Sequence, residues 1–277
     1  MNTRADLTAE PTSQRQTVRD HFDASTRRWE DVYRVRRPWR GTEQNFLSRL
    51  KHVQTLISDC RGALLDVGCG TAMTTIGLYH PGVTSICGID FAPRMIDRAE
   101  RNAAQVSLSV PVEFRVASAE ATGLPSESFD VITALGLMEY LDDPAAFLSE
   151  VRRVARPGAV IVITTPNRLS PVRLIDTTIE RTLRFARRLL KGRSHGPSSP
   201  SDATRIRHAP YSRRELSRIS ERVGLTLEKH VYCTISSYYI ERLLPIGGPL
   251  TRLLDQVADR TWLSWPTTNL IVRLRKR

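Results

Sequence analysis

The stretch LLDVGCGTA, from Leu64 to Ala72, decides the fold of this chain. Two apolar residues lead into Asp66, and Gly68 and Gly70 bracket a cysteine. An apolar run that ends in closely spaced glycines predicts a buried strand turning sharply into a helix. Glycine lets the backbone approach a ligand without an intervening Cβ, and the free N–H groups at the start of the following helix point to the same place. The stretch fits a nucleotide-binding turn, and it also fits a plain strand-to-helix turn.

A second strand, predicted over residues 84–89, supports the nucleotide-binding interpretation. It ends at Asp90, twenty positions beyond Gly70. In such a βαβ unit a carboxylate at the end of the second strand can accept both hydroxyls of a ribose whose adjoining group lies over the glycines.

The remainder of the chain alternates between strand and helix patterns. Further strands are predicted at 112–116, 129–134, 159–165, 225–233 and 269–274, and helices at 73–79, 93–105, 145–155 and 212–223. The last of these helices begins with a capping box, in which Ser212 precedes Glu215 by three residues. This alternation predicts an α/β fold with a doubly wound, Rossmann-like, mostly parallel sheet and helices on both faces.

Two segments precede the sheet. The composition of residues 1–17 predicts disorder. Residues 18–60 carry apolar side chains at helical spacing and are predicted to be an N-terminal helical region. Its aromatic residues, Phe22, Trp29 and Tyr33 among them, either cap the core or form a lid over the ligand.

Composition limits the classes of function. The chain has 277 residues, a net charge of +12 and a sequence pI near 10.2, which points to an acidic partner such as a nucleic acid or an anionic membrane surface. The four cysteines form no CxxC pair and no zinc-type spacing, so neither a disulfide framework nor a metal site is expected. The polar N-terminus and the short apolar runs predict a soluble, cytoplasmic protein.

Four stretches carry a family resemblance: DVGCGTA, GIDFAPRMIDRA, ASAEATGLPSESFDVITALGLMEYLDDP and VRRVARPGAVIVITTPN. In this order and spacing they resemble the successive motifs of class I S-adenosylmethionine-dependent methyltransferases of the methyltransferase domain 11 type. The resemblance is close over 61–167 and looser beyond. It implies a methyltransferase domain over 61–277 with seven strands, the last of them antiparallel, and S-adenosylmethionine as the cofactor.

The resemblance also implies which residues hold that cofactor: Asp66, Gly68, Cys69, Gly70, Asp90, Phe91, Met95, Ser118, Ala119, Glu120 and Leu135. The glycine loop would pass under the methionine part, with Asp66 orienting the loop and the amino group. Asp90 would hold the ribose, and Leu135 would lie beside the sulfonium. The other residues would line the adenine slot.

Two positions depart from the family pattern. Ala72 stands where a third glycine is usual, a change that still leaves room for close backbone approach. Ser118 stands where an aspartate commonly accepts a hydrogen bond from the adenine amine. A hydroxyl can also accept that bond, although cofactor affinity would fall.

The acceptor side is less defined. The chain looks like ubiquinone-biosynthesis O-methyltransferases, but where they read Glu-His after the fourth strand, this chain reads Glu139-Tyr140. The candidates for a catalytic base are therefore Tyr140, His208 and His21, together with Tyr211. Each of them also fits a hydrogen-bonded loop or surface residue.

An insertion at 168–210 contains a basic amphipathic helix, predicted over 172–191, and a Ser/Pro-rich linker. Residues 168–214 carry twelve Lys or Arg and three acidic residues, so their net charge is +9. The net charge of the whole chain is +12. Such a helix can lie in the plane of an anionic bilayer, and it can equally be an ordinary surface helix on the domain core. Nucleic-acid binding is less favoured because no interleaved aromatic residues or RNA-binding motif accompany the charge.

A second, apolar insertion at 236–262 predicts a roomy pocket for a lipophilic molecule. We therefore expect methyl transfer to a small lipophilic or aromatic acceptor at oxygen, by a cytoplasmic enzyme that can associate peripherally with a membrane. The stretch FDASTRRWEDVY is similar to magnesium-protoporphyrin methyltransferases, which keeps carboxyl, N- or C-methylation of a tetrapyrrole or another natural product open. A non-catalytic methyltransferase-like module and an NAD-dependent oxidoreductase also stay open. The oxidoreductase would require GxGxxG where this chain reads GCGTAM.

Overall fold

A computed structural model describes residues 13–33, 41–190, 206, 208–234, 253 and 267–277. Its centre is one seven-stranded sheet with the order β3-β2-β1-β4-β5-β7-β6. The strands are β1 (Gly62–Val67), β2 (Val83–Asp90), β3 (Val112–Val116), β4 (Phe129–Leu135), β5 (Ala155–Pro166), β6 (Leu225–Cys233) and β7 (Asn269–Lys276). Strands β1 to β5 pair in parallel, whereas β7 is antiparallel to both β5 and β6. The predicted sheet and its antiparallel last strand are thus confirmed.

Seven helices of the described chain connect or flank these strands. They are α1 (Ser13–Tyr33), α2 (Gly41–Ile57), α3 (Met73–Gly77), α4 (Pro93–Ala103), α5 (Pro144–Val154), α6 (Pro171–Leu190) and α7 (Arg213–Arg222), and a single 3-10 turn spans Met138–Tyr140. The predicted capping box begins α7, where the Ser212 hydroxyl and the Glu215 side chain each bond the other residue's backbone N–H. These bonds satisfy donors that a helix start otherwise leaves free.

Apolar layers cover both faces of the sheet, which explains why β1 carries apolar residues at successive positions before Asp66. Leu64 and Leu65 are neighbours in sequence and both are fully buried. Leu64 packs with α2 residues on one face, and Leu65 packs with α5 and α7 residues on the other. Because side chains alternate along a strand, a central strand of a covered sheet needs apolar residues at successive positions.

Helix α1 begins earlier than the sequence predicts. Residues 13–17, expected to be disordered, form its first turns. Arg15 is held there by Ser118 and Glu120, and Val18 is 4% exposed. Composition does not register such long-range contacts, which is why it predicts disorder for this polar segment.

The first turn of α6 departs from the predicted amphipathic pattern. Leu174 and Ile175 are 59% and 53% exposed, whereas Arg173, one of the basic residues of this helix, is only partly exposed. The predicted disorder of 1–12, the linker at 192–201 and the insertion at 236–262, apart from Leu253, lie outside the described residues. Within the described part of the chain, no helix combines the length and apolarity that crossing a bilayer requires.

Candidate active site

A cavity opens at the carboxyl edge of the sheet, where β1, β2 and β4 end and α1 crosses. It encloses about 920 Å³ of space, including the open solvent at its mouth. Its walls come from the glycine loop, the ends of β2 and β4, the segment after β3, the 3-10 turn and α1. The residues that line it are Arg15, Val18, Phe22, Trp29, Val67, Gly68, Gly70, Thr71, Ile89, Asp90, Phe91, Met95, Ala117, Ser118, Ala119, Glu120, Leu135, Gly136, Leu137, Tyr140, Leu141 and Asp142.

The glycine loop is fixed to the neighbouring strand. The backbone N–H groups of Gly68 and Cys69 both donate to the Ile89 carbonyl, at 2.7 and 3.0 Å. Gly70 has a φ of +54° and Ala72 has a φ of +62°, both in the left-handed region. A residue with a Cβ adopts this region at a cost of roughly 1 to 2 kcal/mol. The alanine that stands for the usual third glycine is therefore conformationally strained, which its small size alone does not indicate.

Asp90 joins the end of β2 to this loop. Its Oδ2 accepts from the Gly70 N–H at 3.0 Å and its Oδ1 from the Ala92 N–H at 2.9 Å. Burial raises the pKa of the Asp90 carboxyl to about 6, although these two backbone donors oppose the shift. The side chain lines the cavity, so its remaining lone pairs can accept hydrogen bonds from a ligand.

Asp66 and Cys69 are predicted cofactor residues that lie outside the cavity wall. The Asp66 carboxylate lies beneath the loop and accepts from the hydroxyls of Thr75, at 2.6 Å, and Thr133, at 2.7 Å. Burial raises its pKa to about 6. The Cys69 side chain is buried. The other nine predicted cofactor residues line the cavity.

The cavity wall also carries a charged residue that the sequence does not predict to lie there. Arg15 of α1 donates to the Ser118 Oγ at 2.6 Å and forms an ion pair with Glu120. Ser118 also accepts from the Glu120 backbone N–H at 3.3 Å. The hydroxyl hydrogen of Ser118 is then available to a ligand as a donor. No motif marks Arg15, because its partners lie more than 100 residues away.

Helix α1 is tied to α4 at two further points. The Asp23 Oδ1 accepts from the Arg94 backbone N–H at 3.1 Å, in the first turn of α4, where the N-cap residue Ala92 offers no side-chain acceptor. A carboxylate at a helix start is favourable because it meets both free N–H groups and the positive end of the dipole. Further along α1, Glu30 forms an ion pair with Arg98 of α4.

The four candidate bases occupy different surroundings. Tyr140 lines the cavity, and its ring meets Phe22 edge-on at 5.2 Å between centroids and His208 at 4.7 Å. His208 and His21 are exposed and lie outside the wall. Tyr211 is buried, also outside the wall, and burial raises the pKa of its phenol. The structure thus brings only Tyr140 of these four to the cavity.

A buried carboxyl lies beside Tyr140 and is not among the predicted bases. Glu139 is 7% exposed, and its backbone carbonyl accepts from the Ala209 N–H at 2.9 Å. Burial raises the pKa of the Glu139 carboxyl to about 7, and the charges of Arg49 and Arg173 oppose that shift. In the sequence it follows β4 and stands at the Glu position of the Glu-His pair described above.

Two further findings concern the possible metal ligands and the cysteines of the described residues. No three His, Cys, Asp or Glu side chains among them converge to hold a metal ion, and all four cysteines carry free thiols.

Comparisons with known proteins identify the domain. Residues 65–163 match the family model described as a methyltransferase domain. A ubiquinone biosynthesis O-methyltransferase of Xanthomonas oryzae pv. oryzae is 30% identical over 158 residues, which cover 55% of this chain and 62% of the relative. The corresponding enzyme of Cereibacter sphaeroides is 34% identical over 105 residues, covering 38% of this chain and 41% of the relative. The chain thus spans about two fifths to three fifths of the length of these relatives.

Solved structures agree on the fold. The magnesium protoporphyrin IX methyltransferase of Synechocystis PCC 6803, solved with bound SAH, aligns with a TM-score of 0.63 at 13% identity, covering 95% of this chain and 99% of that one. At this identity the likeness concerns the fold alone. Taken with the motifs and the sheet order, these matches show that the chain carries a class I S-adenosylmethionine-dependent methyltransferase domain.

Proposed function

We propose that the protein transfers a methyl group from S-adenosylmethionine to a hydroxyl of a small lipophilic or aromatic acceptor. The observation that carries the proposal is the composition of the cavity. One part combines the Gly68 to Gly70 loop with the Asp90 carboxylate, and the adjoining part is lined by Phe22, Trp29 and Tyr140. The first part suits a charged nucleoside and the second an apolar ring.

The residues present fit the cofactor. Asp90 would hold the ribose hydroxyls, because its carboxylate faces the cavity while backbone donors fix its position. Phe91 and Met95 would cover the adenine, and Ser118 and Glu120 would offer polar groups at its edge. When bound, S-adenosylmethionine supplies an electrophilic methyl group. The residues of this chain would then orient the acceptor, exclude water and accept a proton.

Two measurements test this function. Isothermal titration should show binding of S-adenosylhomocysteine and none of NAD. Incubation with methyl-labelled S-adenosylmethionine and a panel of phenols, carboxylic acids and amines of similar size should label a phenol. Binding of NAD instead would favour the oxidoreductase, and S-adenosylhomocysteine binding without any labelled product would favour a non-catalytic module.

Carboxyl methylation of a tetrapyrrole is the second candidate for the acceptor chemistry. It is suggested by the FDASTRRWEDVY stretch of α1 and by the fold of the Synechocystis enzyme. Preferential labelling of a porphyrin carboxylate over the phenols in the same panel would select this chemistry.

We also propose that α6 contacts an anionic membrane surface. Three exposed apolar residues lie at or just before its start, namely Leu169, Leu174 and Ile175, and the helix sequence that follows is rich in arginine. Apolar side chains beside basic ones suit the headgroup region of an anionic bilayer. Co-sedimentation with phosphatidylserine vesicles should fall with added salt and in Leu174→Glu/Ile175→Glu. A protein that sediments equally in both conditions, or binds no vesicles, would contradict this role.

A further inference from the structure

One edge of the central sheet is a regular strand, and no strand of the described chain pairs with its outer side. β3 ends the strand order, and its five residues, VEFRV, pair with β2 without a shift of register. Val112 and Phe114 are half-buried, whereas Glu113, Arg115 and Val116 are exposed. An exposed edge strand is a template for pairing with another chain unless a bulge, a cover or repelling charges prevent it.

Two hydrogen bonds show which backbone groups of this edge point outward. The Ile86 N–H donates to the Pro111 carbonyl at 2.9 Å, and the Ala117 N–H donates to the Asp90 carbonyl at 3.0 Å. Alternate residues of a strand bond to the same neighbouring strand, so the odd-numbered positions from 111 to 117 bond to β2. The residues whose N–H and C=O groups point away from the sheet are therefore the even-numbered ones, Val112, Phe114 and Val116.

The VEFRV stretch is complementary to an antiparallel copy of itself. When Phe114 lies opposite Phe114 of a second copy, Glu113 lies opposite Arg115 and Val112 lies opposite Val116. The outward backbone groups then face each other as hydrogen-bonded pairs. Glu113 and Arg115 fall at the non-hydrogen-bonded positions, where opposite side chains are closest. The backbone and the side chains thus favour the same register.

The charges of this edge would attract such a copy. Glu113 and Arg115 lie on one face of the strand and form an ion pair at 2.5 Å within the chain, with 55% and 48% of their side chains exposed. A guanidinium has five N–H donors, so Arg115 can keep this contact and also reach Glu113 of the second copy. A parallel copy in register would instead place like charges side by side, which is unfavourable.

The other face of the same edge is apolar. Val112 and Phe114 line a cavity of about 820 Å³, open solvent included, together with the end of α4. Val116 is 45% exposed. Antiparallel pairing would place Phe114 beside Phe114 and Val112 beside Val116. Aromatic and β-branched pairs of this kind stabilise neighbouring strands.

The opposite edge of the sheet, β6, is less suited to pairing with a copy of itself. Its pairing with β7 shifts register between Leu227 and Lys229. An irregular strand and an edge lysine both discourage pairing with another chain.

We propose that β3 is a dimerisation edge, at which two copies of this chain pair antiparallel about Phe114 and join their sheets into one continuous sheet. Each copy offers the same five residues, so the interface is two-fold symmetric and closed. The inference does not depend on the proposed methyl transfer. Because β3 leads directly into Ala117 and Ser118, which line the cavity, the interface would adjoin both active sites.

Sedimentation equilibrium of the full-length protein tests the inference. Over a series of concentrations the wild type should show a monomer–dimer equilibrium. Glu113→Arg creates two like-charged pairs across the interface and should raise the dimer Kd at least about tenfold. Arg115→Glu should have the same effect. Arg218→Glu, an exposed position of α7 near the opposite edge, should dimerise like the wild type.

Mixing the two charge variants separates pairing between chains from the ion pair within one chain. Glu113→Arg carries two arginines in its strand and Arg115→Glu carries two glutamates, so neither variant keeps the internal ion pair. In an equimolar mixture, opposite charges face each other at both positions of the interface. The mixture should therefore regain the dimer that each variant alone has lost. The double variant Glu113→Arg/Arg115→Glu should dimerise by itself.

A proline substitution tests the backbone contacts. Proline is tolerated in an edge strand where the N–H faces outward, and Val116→Pro removes one such donor from each copy. We expect the dimer Kd to rise at least about tenfold, because two hydrogen bonds are lost. Val116→Thr keeps the donor and should dimerise like the wild type. Circular dichroism of each variant should match that of the wild type.

Three results would overturn the inference. The first is a wild-type protein that stays monomeric at every concentration. The second is a dimer that Glu113→Arg, Arg115→Glu and Val116→Pro leave unchanged, since the interface would then lie elsewhere. The third is a mixture of the two charge variants that stays monomeric, because Glu113 and Arg115 would then not face each other between chains.

Discussion

The carboxylate of Asp90 accepts a hydrogen bond from the backbone N–H of Gly70, 3.0 Å away. This single bond links the end of β2 to the glycine loop that follows β1, so the position of the carboxylate and the shape of the loop depend on each other. It leaves the carboxylate facing the cavity with lone pairs to spare.

Replacing Asp90 by alanine should remove the ribose acceptor and one anchor of the loop. Hydrogen bonds to a charged group contribute about 1.5 to 3 kcal/mol each, so we expect the affinity for S-adenosylhomocysteine to fall at least about 100-fold. Isothermal titration measures this change. Asp97→Ala, an exposed residue of α4, should bind like the wild type. Unchanged affinity of Asp90→Ala would contradict the ribose role.

The buried carboxyl of Asp66 should make the protein less stable as pH rises. Its pKa is raised from 3.8 to about 6 in the folded protein, so the folded state binds a proton more tightly than the unfolded state. Its contribution to stability is therefore complete below about pH 4 and is lost as pH rises through about 6. A shift of two units corresponds to about 3 kcal/mol.

The Asp66→Asn variant tests this pH-dependent contribution to stability, because asparagine does not ionise. At each pH, the free energy of unfolding of the wild type is subtracted from that of Asp66→Asn. This difference should increase by up to about 3 kcal/mol between pH 4 and 7. Urea denaturation at a series of pH values measures the difference. A constant difference across this range would show that Asp66 titrates normally in the folded protein.

Breaking the contact of Arg15 with Ser118 and Glu120 should weaken the hold of α1 on the cavity. Because the Arg15 side chain is 30% exposed, we expect Arg15→Met to weaken S-adenosylhomocysteine binding only about fivefold, the equivalent of about 1 kcal/mol. Most of the change should appear in the dissociation rate, measured by stopped-flow displacement. Arg27→Met, an exposed position on the same helix, serves as the control. Equal dissociation rates in both variants would refute a role for Arg15 in retention.

The tyrosine and histidine candidates should prove dispensable as bases. Tyr140→Phe keeps the ring that packs against Phe22 and His208, and His208 and His21 are exposed outside the cavity wall. We expect Tyr140→Phe, His208→Ala and His21→Ala each to retain turnover within about threefold, because loss of a general base costs about 100-fold or more. Initial rates with labelled cofactor measure this. A 100-fold loss with unchanged S-adenosylhomocysteine affinity would make that residue the base.

The sheet was predictable because its signals are local. β3 and β6 have the predicted bounds, and β1, buried on both faces, shows as an apolar run. β5 begins at Ala155, four residues before its predicted start, because Pro157 and Gly158 resemble a turn. In the structure they lie where the pairing of β4 with β5 shifts register, between Phe129 and Val131. The strand thus continues through residues that usually end one.

The cavity was predictable only on the side built from motifs. Gly68, Gly70 and Asp90 are near each other in sequence and follow a spacing imposed by the βαβ unit. By contrast, Arg49 and Glu139 are 90 positions apart, and only the packing of α2 over the end of β4 brings both toward Gly136. The hydroxyls of Thr75 and Thr133 that hold Asp66 were missed for the same reason. Contacts of this kind arise from tertiary packing and produce no periodic pattern in the sequence.

The three attachments of α1 bear on the timing of ligand exchange. They join α1 to the segment after β3, to the first turn of α4 and to the middle of α4. The loss of one of these contacts therefore leaves the helix attached by the other two. A molecule lodged between α1 and the glycine loop is covered on one side by this helix. If α1 has to detach before exchange, the exchange rate has a ceiling set by the protein, at which adding more ligand to the solution no longer speeds entry.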